Sequence, residues 1–221
     1  MKGDIIVVEE CHKKAARLIV RDILSDIREN PNRFIISIAG ESGSGKSETG
    51  KAIHAELNAN GIKAVLFGQD DYFYLPPHTN AARRKQDQNW LGPHIEVKMD
   101  VLEQNLIDAI KGKNVITKPL VDYSNDNISE ESIDLTDVKV IIAEGTYTSL
   151  LRNIDKRIFI DRTFANTRAH RKKRNRGNEA HDQFIEQILA NEHKIIAGHK
   201  YLADIIITKD YDVVFMNRAN E

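Results

Sequence analysis

The sequence predicts an α/β fold in three layers, a parallel central sheet with helices on both faces. Three observations lead there. Short apolar runs of buried-strand length recur along the chain, at Phe34–Ala39, Ala64–Phe67, Val138–Ala143 and Arg157–Ile160. Segments with helical periodicity separate them, the alternation from which parallel sheets are built. The first run opens into a glycine-rich loop followed by a helix, so strand, loop and helix are joined without a break.

Taken in order, Cys11, Ala15, Ile19, Ile23 and Ile27 recur every fourth residue, so residues 10–29 read as an amphipathic helix. Asn30-Pro31-Asn32 stops it. After the first strand and its loop, a helix runs from about Lys46 to Asn60, closed by Gly61 in the position just past the C-cap. The second strand ends at Gly68-Gln69-Asp70-Asp71. Residues 74–97, with Pro76, Pro77 and Pro93 among scattered polar groups, read as an irregular excursion. Asp100–Lys111 reads as a helix with Leu102, Leu106 and Ala109 on one face. Asn114–Thr117 reads as a strand, and residues 122–137 as a polar, acidic connection. Strands follow at Val138–Ala143 and Arg157–Ile160, two helices fill about 165–196, and Asp204–Thr208 returns to strand. Without repeats or low-complexity tracts, the expectation is a single domain over 1–221, with a small helical lid at about 165–178.

Composition narrows the function classes. Of 221 residues, 41% are hydrophobic and 29% charged, which suits a packed core under a charged surface. The formal net charge of −1 argues against a nucleic-acid partner or an acidic membrane, unless basic residues cluster locally. Cys11 is the only cysteine, so no internal disulfide forms and a cytoplasmic location is expected. The opening MKGDIIVVEE has too short an apolar run for a signal peptide, and no later stretch approaches a membrane span.

Gly40-Glu41-Ser42-Gly43-Ser44-Gly45-Lys46-Ser47 fits GxxxxGK[ST], between a strand and a helix as that motif requires. Glycines permit positive φ angles that aim successive backbone N–H groups at phosphate oxygens, and the following helix presents its positive end to the same anion. Lys46 is placed for the β/γ-phosphates and the Ser47 hydroxyl for Mg²⁺. The fold expected is therefore of the P-loop NTPase type, binding ATP with Mg²⁺.

The rest of the site narrows the type. A guanine-specific GTPase needs NKxD, which Thr208-Lys209-Asp210 does not supply. Glu144, at the end of a strand, is the candidate carboxylate beside magnesium. Asp70 and Asp71 end the strand after the loop helix, where open α/β sheets bind ligands. A carboxylate there can take the proton of an acceptor hydroxyl. From Arg162 to Arg176 lie seven Lys/Arg and no acid. Such a run can be a solvated helix face, a nucleic-acid patch, or a mobile lid that neutralises a transferring phosphoryl group. Trp90 can stack on a flat acceptor or cap the core. His170, His181, His193 and His199 show no zinc spacing.

These elements, in this order, resemble the uridine kinase branch of the phosphoribulokinase–uridine kinase family, from about Phe34 to Lys209. The phosphate loop with Glu48, Gln69-Asp70-Asp71-Tyr72-Phe73, Asn89-Trp90-Leu91-Gly92-Pro93, Lys118-Pro119-Leu120-Val121-Asp122-Tyr123, Ala143-Glu144-Gly145, Thr167-Arg168 through Arg174, and Lys200-Tyr201-Leu202-Ala203-Asp204 carry the likeness. The resemblance implies ATP-dependent transfer of the γ-phosphate to a hydroxyl of a small metabolite. Asp70 would be the general base, and Ser47 and Glu144 would flank magnesium with Asp70 close by. Arg168, Arg171 and Arg174 or Arg176 would be lid contacts, and Tyr72, Glu96, Tyr123 and Arg168 would face the acceptor. Val121 stands where the family has a base-contacting tyrosine, Asp126 falls near its histidine, and Glu96 is the nearest acid to the expected sugar ligand. Uridine or cytidine leads as acceptor, with another riboside or a sugar phosphate next. The reading from another class is a P-loop ATPase whose basic segment contacts RNA or a protein. A homo-oligomer is left open.

Overall fold

The computed structural model describes residues 1–3, 6–87, 89–167 and 183–216. Helix α1 (Glu10–Glu29) turns its every-fourth row inward, burying Ala15, Ile19, Ile23 and Ile27. Strand β1 (Phe34–Gly40) is buried along its whole length and leads through the glycine loop into α2 (Lys46–Ala59). Strand β2 (Ala64–Gly68) and a 3₁₀ turn at Gln69–Tyr72 follow. Then come α3 (Pro77–Gln86), α4 (Met99–Ile110), β3 (Val115–Asp122), β4 (Asn127–Asp134), β5 (Val140–Glu144) and β6 (Lys156–Ile160). Helix α5 (Gln183–Ile196), β7 (Ile205–Ile207) and β8 (Val213–Phe215) complete the described chain.

Six strands form one sheet in the order β2-β5-β1-β6-β7-β8. Neighbours pair in parallel from β2 to β7, and β8 closes the edge antiparallel to β7. Side chains of β1 alternate between two cores. Ile36 and Ile38 pack with α1 and α2, whereas Ile35 faces a second cluster with α4, Phe67 and Tyr147. The parallel, doubly covered sheet makes this the α/β fold expected, and brings the C-terminal ends of β1, β2, β5 and β6 to one edge.

Three elements depart from expectation. The supposed irregular stretch 74–97 contains α3, with Pro77 in its first turn where a missing N–H costs nothing. Only Asn80 of that helix is buried, so it has no apolar stripe to reveal it. The supposed connection 122–137 is mostly β4, which pairs with β3 as a separate antiparallel hairpin from Val115↔Asp134 to Asp122↔Asn127. Its Asn-Ile-Ser-Glu-Glu-Ser-Ile-Asp sequence lies largely exposed, held by backbone pairing rather than by a buried face. Strand β8 is three residues long and half exposed. The expected lid residues Arg168, Arg171, Arg174 and Arg176 lie outside the described residues.

Candidate active site

The glycine loop has the backbone its motif requires. Gly40, Gly43 and Gly45 adopt φ of 155°, 77° and 104°. Gly45 caps α2 in the left-handed region, and a Cβ there would lie 1.8 Å from the Tyr211 hydroxyl. No other residue type fits that crossing. The Tyr211 hydroxyl donates to the Ser44 carbonyl at 3.0 Å, while its ring meets buried His12 of α1 edge-on at 4.8 Å. Helix α1 therefore braces the loop from behind. Lys46 Nζ donates across the loop to the Glu41 carbonyl at 2.9 Å, on the side a nucleotide phosphate would take.

Ser47 lies in the first turn of α2 and its Oγ donates to Glu144 Oε1 at 3.1 Å, joining the end of β5 to the loop. Burial raises the Glu144 carboxyl to about 7, with the charge of Asp70 adding to the rise and Lys46 opposing it. A hydroxyl and a carboxylate within 3.1 Å, with a second carboxylate near, are hard oxygen donors of the kind a magnesium ion takes. Glu48 is buried in the first turn of α2.

The neighbouring aspartates have different surroundings. Asp70 is exposed at the end of β2. Asp71 is buried; it meets Lys118 Nζ at 2.7 Å and the Met1 amino group at 3.0 Å, and accepts the Val121 N–H at 3.0 Å. Lys118 also meets Glu131, so this network ties the β2 turn to the β3–β4 hairpin.

Acceptor-side candidates are scattered. Tyr72 is wholly buried, its hydroxyl accepting from Asn105 Nδ2 at 3.0 Å within the core. Tyr123 lies in the hairpin turn, 5.3 Å from the ring of His78. Glu96 is wholly buried beneath α3 and accepts from Arg84 Nε at 2.7 Å and Asn80 Nδ2 at 3.0 Å. Trp90 donates through Nε1 to Asn80 Oδ1 at 2.8 Å, and Arg83 sits over its ring. The indole therefore closes this network rather than standing free. Val121 is buried, and Asp126 caps α3 by accepting from His78 N at 2.6 Å and Thr79 Oγ1 at 2.8 Å.

Several site residues carry no local signal in the sequence. Two consecutive residues of α5 grip two consecutive residues of the phosphate loop. Glu192 accepts from Ser42 N at 2.7 Å and Ser42 Oγ at 2.9 Å, and His193 Nδ1 donates to Glu41 Oε1 at 2.6 Å. Burial raises the Glu192 carboxyl, opposed by Lys46 and by the Ser42 bonds. Near Tyr211, Glu9, Cys11 and His12 each bring a ligand-type atom within 4.8 Å of the others, but His12 Nδ1 already accepts the Glu9 N–H. Among the described residues, no helix is long and apolar enough to cross a membrane.

The sequence model of the "Phosphoribulokinase / Uridine kinase family" matches residues 35–213. A uridine kinase of Macrococcus caseolyticus is 36% identical over 185 residues, covering 78% of this chain and 86% of its own. The bifunctional alpha-galactosidase/sucrose kinase AgaSK of Mediterraneibacter gnavus is 28% identical over 193 residues, 82% of this chain, which spans only 21% of that protein. Among solved structures, a possible uridine kinase from Bacillus stearothermophilus superposes with a TM-score of 0.63 at 18% identity, covering 88% of this chain and 97% of its own. That likeness speaks for the fold.

Proposed function

The chain belongs to the phosphoribulokinase and uridine kinase family, and from that premise we propose that it moves the γ-phosphoryl group of ATP to a hydroxyl of a small metabolite. The observation that carries this reading is the gathering of Lys46, Ser47, Glu144 and Asp70 at the C-terminal edge of β1, β5 and β2. Gly40 through Ser47 cradle the donor phosphates, with Lys46 swinging from the Glu41 carbonyl to the β/γ-phosphates. Ser47 and Glu144 would hold magnesium, with Asp70 close by, and the bound metal would neutralise charge on the phosphates. Asp70, exposed and unencumbered by the ion pairs that engage Asp71, takes the proton of the attacking hydroxyl. The basic segment closing over the phosphates belongs to the same proposal, as does a cytoplasmic site of action.

The family branch points to uridine, but two observations favour a carbohydrate acceptor. Val121, in place of a base-contacting tyrosine, is buried and its N–H is engaged by Asp71. Asp126, in place of a histidine, caps α3. Neither offers a pyrimidine a donor, and sites without such donors do not discriminate strongly. One relative is named a sucrose kinase, and the Glu96–Arg84–Asn80 network is of the polar kind that binds sugar hydroxyls.

Phosphorylation of a panel of nucleosides, sugars and sugar phosphates, read by product mass, tests the proposal. The expected result is efficient turnover of a carbohydrate and weak turnover of uridine. Efficient use of micromolar uridine restores the uridine kinase reading. ATP hydrolysis stimulated by RNA and by no small acceptor sinks both.

A further inference from the structure

Of the four residues in the turn after β2, three are gripped by the protein and one is presented. Gln69, Asp71 and Tyr72 are at most 3% exposed, whereas Asp70 is exposed. Tyr72 is tied to α4 through Asn105, and Asp71 to the β3–β4 hairpin through Lys118 and the Val121 N–H. Those two anchors lead to elements that carry none of the donor machinery. Gln69 reaches the other way, to β5. Its Oε1 accepts the Tyr147 N–H at 2.7 Å, and its side chain lies in the notch that Gly145 leaves just past the strand. A Cβ on Gly145 would lie 2.3 Å from the Cβ of Gln69 and 2.8 Å from its Oε1. The notch is reciprocal. One position back, Gly68 of β2 pairs with Glu144 of β5, and a Cβ on Gly68 would lie 3.3 Å from Glu144 Oε1. At two successive positions a glycine on one strand thus receives a polar side chain from the other. The end of β5 is in turn fixed to the phosphate loop. The Gly145 N–H and Thr148 Oγ1 donate to the Ile38 carbonyl at 3.0 and 2.9 Å, two residues before Gly40, and Ser47 donates to Glu144.

We propose that Gln69 is a positioning residue for phosphoryl transfer, setting the distance from Asp70 on β2 to the donor half of the site on β1 and β5. The proposal rests on the kinase reading above and concerns a side chain to which that reading gives no role. Backbone pairing of β2 with β5 ends at Gly68 and Glu144. Past that rung the Gln69 side chain does what the ladder does below it, and Asp70 is the next residue. The hold is made by one hydrogen bond and one close-packed glycine, both short and both directional. A displacement of about 1 Å at a reacting group costs on the order of 10²-fold in rate, so a small slackening here reaches the chemistry.

The test compares wild type, Gln69→Met, Gln69→Asn, Asn105→Leu, Asp70→Asn and Gln69→Met in the Asp70→Asn background. Each is measured for kcat and KM with the best acceptor of the panel, for affinity toward a fluorescent ATP analogue with magnesium, and for its urea midpoint. Gln69→Met fills the notch without an acceptor oxygen, and Gln69→Asn keeps the amide but withdraws it by one methylene. Both are expected to lower kcat by about 10²-fold, with acceptor KM and analogue affinity within about twofold of wild type. Asn105→Leu cuts the anchor to α4 at the other end of the same turn, so it lowers the urea midpoint and keeps kcat within about threefold. In the Asp70→Asn background Gln69→Met costs no more than about threefold further, because a positioning effect vanishes with the group it positions. A full loss in that background, or an equal loss in Asn105→Leu, overturns the inference, since Gln69 would then act by loosening the fold at large. Wild-type kcat in the Gln69 variants overturns it as well, and so does failure of both to fold, which would make the residue structural. If one of them folds, it carries the comparison. A wild type that phosphorylates no acceptor of the panel brings down the kinase reading itself, and the positioning role with it.

Discussion

Asp70 and Asp71 are adjacent in sequence, yet their substitution should fail in opposite assays. Asp71→Asn leaves an amide oxygen for the Val121 N–H but removes the charge that faces Lys118 at 2.7 Å, both side chains being at most 4% exposed. Breaking a buried pair from one side costs about 3–5 kcal/mol. Glu131, 36% exposed and 2.7 Å from the same lysine, remains to compensate, which brings the expected loss to about 2–3 kcal/mol. Asp71→Ala also orphans the Val121 N–H, adding about 1–3 kcal/mol. With a urea m-value of about 2 kcal/mol/M, the unfolding midpoint should fall by about 1 M for Asn and about 2 M for Ala. Asp70→Asn, at an exposed position, should leave the midpoint within about 0.2 M of wild type and lower acceptor phosphorylation by about 10²–10⁴-fold. Urea unfolding followed by fluorescence, alongside steady-state kinetics on the same preparations, gives both readouts. A fully stable Asp71→Asn that loses as much activity as Asp70→Asn would refute the reasoning and move the base by one residue.

Lys46→Ala should abolish phosphoryl transfer with little change in the thermal midpoint, since among the described residues its hydrogen bond goes to the loop carbonyl of Glu41; near-normal turnover would remove the P-loop reading. The buried Glu144 carboxyl, raised from 4.5 to about 7, keeps a proton in the folded chain that the unfolded chain has released. Its contribution to stability is therefore full below about pH 4.5 and lost as pH rises toward 7. In metal-free protein the wild-type midpoint should fall relative to Glu144→Gln across that window, and parallel curves would count against it. Gly45→Ala places a side chain at φ 104° against the Tyr211 hydroxyl, so a loss of about 3 kcal/mol and of ATP binding is expected by urea titration and analogue binding.

The parts of this fold that sequence shows are those whose burial is periodic or whose backbone is fixed by glycine. The row Ala15, Ile19, Ile23 and Ile27, the wholly buried β1 and the glycine loop are all of that kind. Helix α3 and strand β4 stay hidden because each buries too little apolar surface to leave a pattern. The two halves of the site differ in the same way. Lys46, Ser47, Glu144 and Asp70 stand at strand ends or in a fixed spacing, so a local reading nominates them as candidates. Glu192 and His193 reach the loop only through partners distant in the chain, such as Ser42 with Glu192, 150 residues apart. Trp90 and Tyr72 show the limit of a local reading, since chemistry-bearing side chains can be engaged by the protein itself.

The family match begins at residue 35, so it leaves out α1. That helix is nevertheless wired to the most family-typical loop of the chain, through His12 against Tyr211 and the Tyr211 hydroxyl on the Ser44 carbonyl. Its buried face also completes the core under β1 and α2. The family segment is thus not an interchangeable module. Transplanting residues 35–213 into a relative would strip the greasy underside from the sheet and leave the rear wall of the phosphate cradle without its buttress. Recombination among these kinases has to carry the leading helix along with Tyr211, or replace both together.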